Sequence, residues 1–285
     1  MECAAQGLID KASALVDAAR RVGADEADAV VIHAHAYSIN VRLGKVEATE
    51  FSASDILSLR VFIGKRMASV SANMTTEPEM LAIRAITMAK VSPENPFEGL
   101  ADSCQLIDNP HCLDLFDSFQ PDSTRLTEDA LAIESAALDV CGVTNSGGAG
   151  TSYGIGGLVL VTSRGFCGHY MSSRFERSCS VIAGEGTSME CDYDSSSSLH
   201  FADMKPCEIV GRCAGERVVR RLGPRQAETG VINAIFDPRV ARSIAAHLSA
   251  MVNGLSVARK TSLLRGDMVP DHLMEKELEV YLWIL

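Results

Sequence analysis

Residues 29–72 read AVVIHAHAYSINVRLGKVEATEFSASDILSLRVFIGKRMASVSA, and this stretch decides the fold. Segments 29–36, 38–43, 46–51, 56–62 and 68–72 are rich in apolar and β-branched residues, with the alternation of strands that bury one face. Leu43-Gly44-Lys45 and Ile63-Gly64-Lys65 punctuate them with short glycine turns suited to antiparallel hairpins. Four or five strands in a meander follow.

Outward from the meander, residues 4–22 place Leu8, Ala12, Leu15, Ala18/Ala19 and Val22 on one helical stripe, ended by Gly23. Residues 77–90 form a second helix carrying Met80, Ile83/Arg84 and Thr87/Met88, before the breakers Ser92-Pro93 and Asn95-Pro96. Residues 92–121, rich in Pro, Asp and Asn, read as an irregular linker. A helix at 124–140 then leads through 141–144 into a second β region, with strands at 158–162, 166–172, 177–183 and 190–194. A helix at 203–222 follows, with Pro206 in its first turn and Gly223-Pro224 closing it. We therefore expect an α+β protein of antiparallel sheets with helices packed on them. Its parts are an N-terminal subdomain (1–100), a linker (101–123), a middle subdomain (124–225) and an incomplete C-terminal domain (226–285). The subdomains share an order of elements without a residue-level repeat, which hints at internal duplication.

Residues 231–262 read as strand, cap, helix and stop. Asp237 is placed to cap and Pro238 to open a helix whose stripe is Val240, Ile244, His247/Leu248 and Met251, with Asn253-Gly254 as a left-handed stop. The face bearing His247 should be buried. A zinc hydrolase uses such a helix to present two histidines and a glutamate, because zinc takes nitrogen ligands and its water needs a base. One of the three is present.

The 285 residues are 47% apolar, enough for one large or two smaller cores. Lys+Arg 26 against Asp+Glu 37 gives a net charge of −11, which argues against direct nucleic-acid binding. The nine cysteines are odd in number and contain no C-x-x-C pair, and residues 1–10 carry no secretory signal, so reduced thiols in a cytoplasmic protein are expected. No apolar run is long enough to span a bilayer.

Gly150-Thr151-Ser152-Tyr153-Gly154 matches the G-x-S-x-G elbow of serine hydrolases, but that motif needs a strand before it and a helix after it. The glycines around Ser152 predict a flexible loop or wide hairpin instead. His33 and His35 fall on one strand face, a geometry metals use, yet no third ligand is nearby and a hydrated face is the simpler reading. Cys191, Cys207 and Cys213 lack zinc-ribbon spacing and read as small core residues. Ser195–Ser198, beside Asp192 and Asp194, reads as a solvated connection, with a mobile loop over a cleft as the functional alternative. Arg217, Arg220, Arg221 and Arg225 sit at a helix C-terminus, where the dipole favours them.

Several stretches resemble one family in order: Gly23-Ala24-Asp25, VRLGKVE (41–47), LRVFIGKR (59–66), PFEGLAD (96–102), GFCGHY (165–170), MECDY (189–193), 211–222 and 236–262. Together they make the chain similar, over about 8–267, to the TldD/TldE (PmbA) proteins, also called modulators of DNA gyrase or peptidase family U62. The resemblance implies a cytoplasmic, heterodimeric zinc metalloprotease enclosing a cavity and acting on unfolded or extended peptides such as microcin precursors and antitoxins. It implies H-E-x-x-x-H on the metal helix of the TldD-type subunit, with a later cysteine completing the site. In the register that places the first histidine at His247, Leu248 takes the glutamate's place and Val252 the second histidine's. The chain thus resembles the TldE/PmbA-type subunit, catalytically silent and without a cofactor of its own, its partner being a zinc-bearing TldD-like subunit. A non-proteolytic regulatory protein of the gyrase-modulator kind is the alternative, and a serine hydrolase using Ser152 a remote one. From about Val269 the resemblance stops, so a C-terminal truncation is expected, with an exposed apolar tail at 280–285.

Overall fold

The computed structural model describes residues 2–106, 113–231 and 233–263, with no side-chain account for 2–5, 103, 255 and 258. Contacts divide the chain into two units, Met1–Pro224 and Arg225–Leu285. The first runs α1 (Glu2–Val22), β1 (Glu26–Arg42), β2 (Lys45–Ile63), β3 (Arg66–Asn73) and α2 (Pro78–Val91). It continues with α3 (Ser123–Leu138), β4 (Val143–Thr162), β5 (Cys167–Ala183), β6 (Glu190–Ser198) and α4 (Cys207–Arg220).

The α+β class holds. The strands do not divide into separate sheets, however. Among the described residues they form one antiparallel sheet in the order β3-β2-β1-β4-β5-β6, because β1 pairs with β4 from Asp28↔Thr162 to Val41↔Ala149. The order is a palindrome about β1 and β4, and each half runs helix, three strands, helix. The shared order of elements is thus a pseudo-twofold of topology. In β1, Ala29 and Val31 belong to one core and Ile39 and Val41 to the other. Residues an even number apart share a face, so both helix pairs cover the same side of the sheet and leave the other side free of helices among the described residues of this unit.

The strands are longer than expected. Segments 29–36 and 38–43 are one strand, as are 46–51 and 56–62, and 166–172 and 177–183. Polar residues such as Ser52, Ser54 and Arg174 break the apolar pattern, but they point to the helix-free side, where nothing requires burial.

Alanines let the helices approach closely. In α2 the buried residues are Leu81, Ala82, Ala85, Ile86 and Ala89, while Met80, Ile83 and Met88 face outward. Three alanines toward the sheet bring the backbone nearer than methionines would. Between α3 and α4 the limit is reached at Gly211, where an added Cβ would stand 2.1 Å from the Ile133 carbonyl oxygen, and at Gly215, 2.6 Å from Val140 Cγ2.

The β1–β2 turn holds Leu43 at φ 50 and Gly44 at φ 74, the left-handed pair that matches strand twist. Leucine is strained there. Glu134 of α3, only 1% exposed, accepts the Leu43 amide at 2.9 Å and the Gly44 amide at 2.8 Å, and Ser146 Oγ also donates to it.

The described parts of the connection between α2 and α3 are tied down. Asn95 N donates to Lys65 O, Leu100 N to Glu26 Oε2, and Arg164 Nη1 to Asp102. Further on, Ser173 N donates to Leu115 O, and the Asp117 carboxylate accepts the amides of Phe119 and Phe201, which hold its pKa below the usual carboxylate range.

In the second unit, α5 (Pro238–Met251) starts as expected, with Asp237 accepting the Arg239 amide and Pro238 in the first turn. The described part of 231–236 is not a strand, and Val231 and Ile235 are fully exposed; among the described residues it has no neighbouring strand to complete a ladder. Gly254 opens α6 (Gly254–Ala258), and Asn253 Oδ1 accepts the Ser256 amide, so this pair caps a new helix and is not a left-handed stop. No residue of α5 is buried; Val240 and Ile244 are about half exposed at 51% and 50%, and His247 is exposed. The tail expected to expose apolar surface lies outside the described residues.

Candidate functional site

The helix-free side of the sheet is floored by small residues. On β4, Thr151, Tyr153 and Ile155 point toward the helices, so Gly150, Ser152, Gly154 and Gly156 point away. Their cross-strand neighbours on β1 are Asn40, Ser38, Ala36 and Ala34. Two concavities lie on this floor, one of about 460 Å³ beside Asn40, Glu47, Ser178 and Tyr193, the other of about 250 Å³ beside Ala36, Ser54, Ser172 and Arg174. At Gly150 a Cβ would stand 2.6 Å from Asn40 Oδ1, so the glycine leaves room for that amide. Such a floor can accommodate polypeptide.

Ser152 is therefore in the interior of β4, between Ser38 and Glu176 on the adjacent strands. It is neither on an elbow nor in a flexible loop. The glycine and serine positions of β4 alternate with larger residues, a strand signal that the turn-forming composition obscures. His33 and His35 do share a face. Asp55 Oδ1 lies 2.5 Å from His33 Nδ1, and the His35 ring sits 6.4 Å from those of Phe51 and Tyr153. Among the described residues no three His, Cys, Asp or Glu side chains converge as a metal site would require.

Ser195–Ser198 is neither a solvated connection nor a mobile loop but the second half of β6, paired with Phe175–Ser178. Asp192, Asp194 and Ser196 point inward and are buried. The arginines of α4 explain why polar groups can lie there. Arg217 Nη1 is 2.8 Å from Asp194 Oδ1, and Arg221 is 3.3 Å from Glu190 and 3.6 Å from Asp192. The basic cluster therefore holds β6 as well as meeting the helix dipole, while Arg220 pairs with Glu216 and Arg225 is exposed in the second unit. Cys207 is a core residue, its thiol pushed up to about 11 by burial; Cys213 is half-buried, and Cys191 is exposed, 3.4 Å from Ser180 Oγ. Cys179, deeper in the same core as Cys207, is pushed up to about 12, mainly by burial and further by the charge of Glu134.

On α5, His247 is followed by Leu248, and Val252 lies one turn beyond. One imidazole followed by two aliphatic side chains does not fit a zinc site, which needs three protein ligands beside its water. No other His, Cys, Asp or Glu lies in Pro238–Met251. No helix among the described residues is long and apolar enough to cross a membrane.

The first unit is thus one sheet made of two helix-flanked halves. Residues 27–89 match the model of the PmbA/TldA metallopeptidase domain 1, and residues 116–222 that of the PmbA/TldA metallopeptidase central domain. The chain belongs to the PmbA/TldD family. It is 31% identical over 276 residues to a Metalloprotease PmbA homolog of Haemophilus influenzae, covering 96% of this chain and 60% of that protein. It is 30% identical over 261 residues to Metalloprotease PmbA of Escherichia coli O157:H7, covering 89% and 58%. The chain thus spans about three fifths of the length of these relatives. A protein of Bacteroides thetaiotaomicron described as a modulator of DNA gyrase shares the fold, with a TM-score of 0.79, 23% identity and coverage of 90% and 60%. TldE of Thermococcus kodakarensis is also similar, with a TM-score of 0.55, 13% identity and coverage of 73% and 47%.

Proposed function

We propose that this chain is a PmbA/TldE-type subunit of a cytoplasmic, heterodimeric zinc metalloprotease that degrades or matures unfolded peptides. In this reading it supplies cavity wall and interface, and a TldD-like partner supplies the zinc. The observation that carries it is the donor set of α5 and its C-cap, where the lone His247 is followed by Leu248 and, five residues on, by Val252. When bound, zinc would deliver a nucleophilic water in the partner; Leu248 has no lone pair with which to take that water's proton. What this chain offers a peptide is its small-residue floor, on which Gly154 and Gly156 leave the backbone open to approach.

The test is co-expression with a homologue carrying H-E-x-x-x-H, followed by co-purification and zinc analysis. We expect a stable pair whose zinc is lost when the partner's motif histidines become alanine and is unchanged in His247→Ala. Loss of zinc on His247→Ala would contradict the assignment, as would failure of the two chains to associate.

A further inference from the structure

β2 has 19 residues and β3 only 8, and their ladder covers Ile56↔Asn73 to Ile63↔Arg66. The opposite edge of β2 pairs with β1 along its whole length. Residues 45–55 therefore present a row of backbone N–H and C=O groups with no strand beside it among the described residues. At about 3.3 Å per residue this is roughly 35 Å of open ladder.

The edge itself is mainly acidic. Within 45–55, Glu47, Glu50 and Asp55 stand against Lys45, with Asp55 Oδ1 2.5 Å from His33 Nδ1, Arg42 opposite Lys45, and Arg174 beside Ser52 and Ser54 but 2.6 Å from Glu176. The acidic residues serve both faces. Glu50 is opposite Ser38 on the helix-free side, whereas Asp55 is opposite His33 on the helix side. On that second side, Phe51, Tyr37 and Tyr153 lie directly across from one another on three successive strands, and Phe51 at the edge is 65% exposed. Aromatic faces attract cations. Natural proteins use charge to keep strand edges from pairing with their own kind, and a net charge of −11 opposes pairing between two copies of this chain. The same charge favours a strand of opposite sign.

We propose that the 45–55 edge of β2 binds an extended, lysine- and arginine-rich polypeptide segment by β-augmentation. Main-chain bonds to β2 would supply the affinity. Glu47, Glu50 and Asp55, with the Phe51 ring, would select basic side chains on alternate faces. Only the view that the ligand is an unfolded peptide rests on the proposed function; the open edge and its charge stand without it.

The experiment measures binding, not cleavage. The full chain is titrated against a fluorescent 11-residue peptide of alternating lysine and threonine, its glutamate-for-lysine counterpart, and two lysine peptides N-methylated on one or the other alternate set of backbone nitrogens. The lysine peptide should bind. One N-methylated set should lose at least about tenfold in affinity, because a strand turns only every second amide toward its neighbour. The glutamate peptide should not bind, and Glu47→Lys/Glu50→Lys should weaken the lysine peptide about tenfold or more. The proposal is overturned if the lysine peptide does not bind, if both N-methylated peptides bind like the parent, or if charge reversal leaves its affinity unchanged. A zinc-bearing site in this chain would contradict the proposed function and leave these results untouched.

Discussion

Glu134 carries a carboxylate almost wholly removed from water, and what it bonds is a turn some ninety residues earlier in the chain. The turn itself can be recognised in the sequence, since Leu43-Gly44 interrupts an alternating pattern. Its support cannot, because a glutamate between Ile133 and Ser135 looks like any solvated helix residue until the fold brings the two together. Glu134→Ala leaves two amides and the Ser146 hydroxyl without their acceptor, and should cost about 3 kcal/mol. Urea denaturation of the variant would measure this; a loss below about 1 kcal/mol would mean that water replaces the carboxylate. Cysteines show the same limit of spacing, which groups Cys191 with Cys207 although one is exposed and the other buried. Because Cys179 and Cys207 titrate at about 12 and about 11 in the fold against an ordinary 9.0, the unfolded chain loses their protons first as pH rises. Their burial therefore penalises the native state progressively from about pH 9 toward 12, and has no such effect below pH 9. At pH 8, iodoacetamide should label Cys191, Cys141 and Cys167 in the native protein and reach Cys179 and Cys207 only after denaturation. Rapid native labelling of Cys179 would contradict its burial.

Elements were legible where apolar periodicity was intact. α1, the turns and the start of α5 follow their sequence signals closely, since caps, stripes and glycine stops are local effects. β6 shows why the rest was hidden. Its inward positions are Asp192, Asp194 and Ser196; Arg217 of α4 meets Asp194 and Arg221, at the end of that helix, meets Asp192, and no pattern within 190–198 announces those partners. β4 was obscured by its glycines, which mark a floor as well as a turn. The α3–α4 contact yields an opposing-effects prediction. Alanine favours a helix over glycine by about 1 kcal/mol, but at Gly211 its Cβ would collide with the backbone of α3. Overpacking of this kind costs about 1–3 kcal/mol, and a 2.1 Å approach to a rigid carbonyl belongs at the upper end. Gly211→Ala should therefore lower the thermal midpoint. A raised midpoint would show that the helices can separate without loss.

At the scale of the whole molecule, the first unit is two like halves joined in one sheet, with both cores on one side and a small-residue floor on the other. Family membership was readable from ordered short motifs, and PFEGLAD at 96–102 is now seen fastening the connection to the start of β1, through Leu100 to Glu26, and to the β4–β5 turn, through Asp102 to Arg164. The proposed donor set rests on the identity of residues 247, 248 and 252, which the sequence supplies directly. The exposure of the α5 stripe was not, because amphipathic spacing says that a face can be buried without saying by what. Ser152 belongs to the floor but supplies no nucleophile, and Ser152→Ala, which keeps the residue small, should leave both folding and any peptide hydrolysis by the complex unchanged. The most direct measurement of the central claim is peptide hydrolysis by this chain alone, by an H-E-x-x-x-H homologue alone, and by the two together, each with and without a chelator. The account predicts no hydrolysis by this chain alone and chelator-sensitive cleavage that is greatest when the two are combined. Chelator-sensitive cleavage by this chain alone would contradict it.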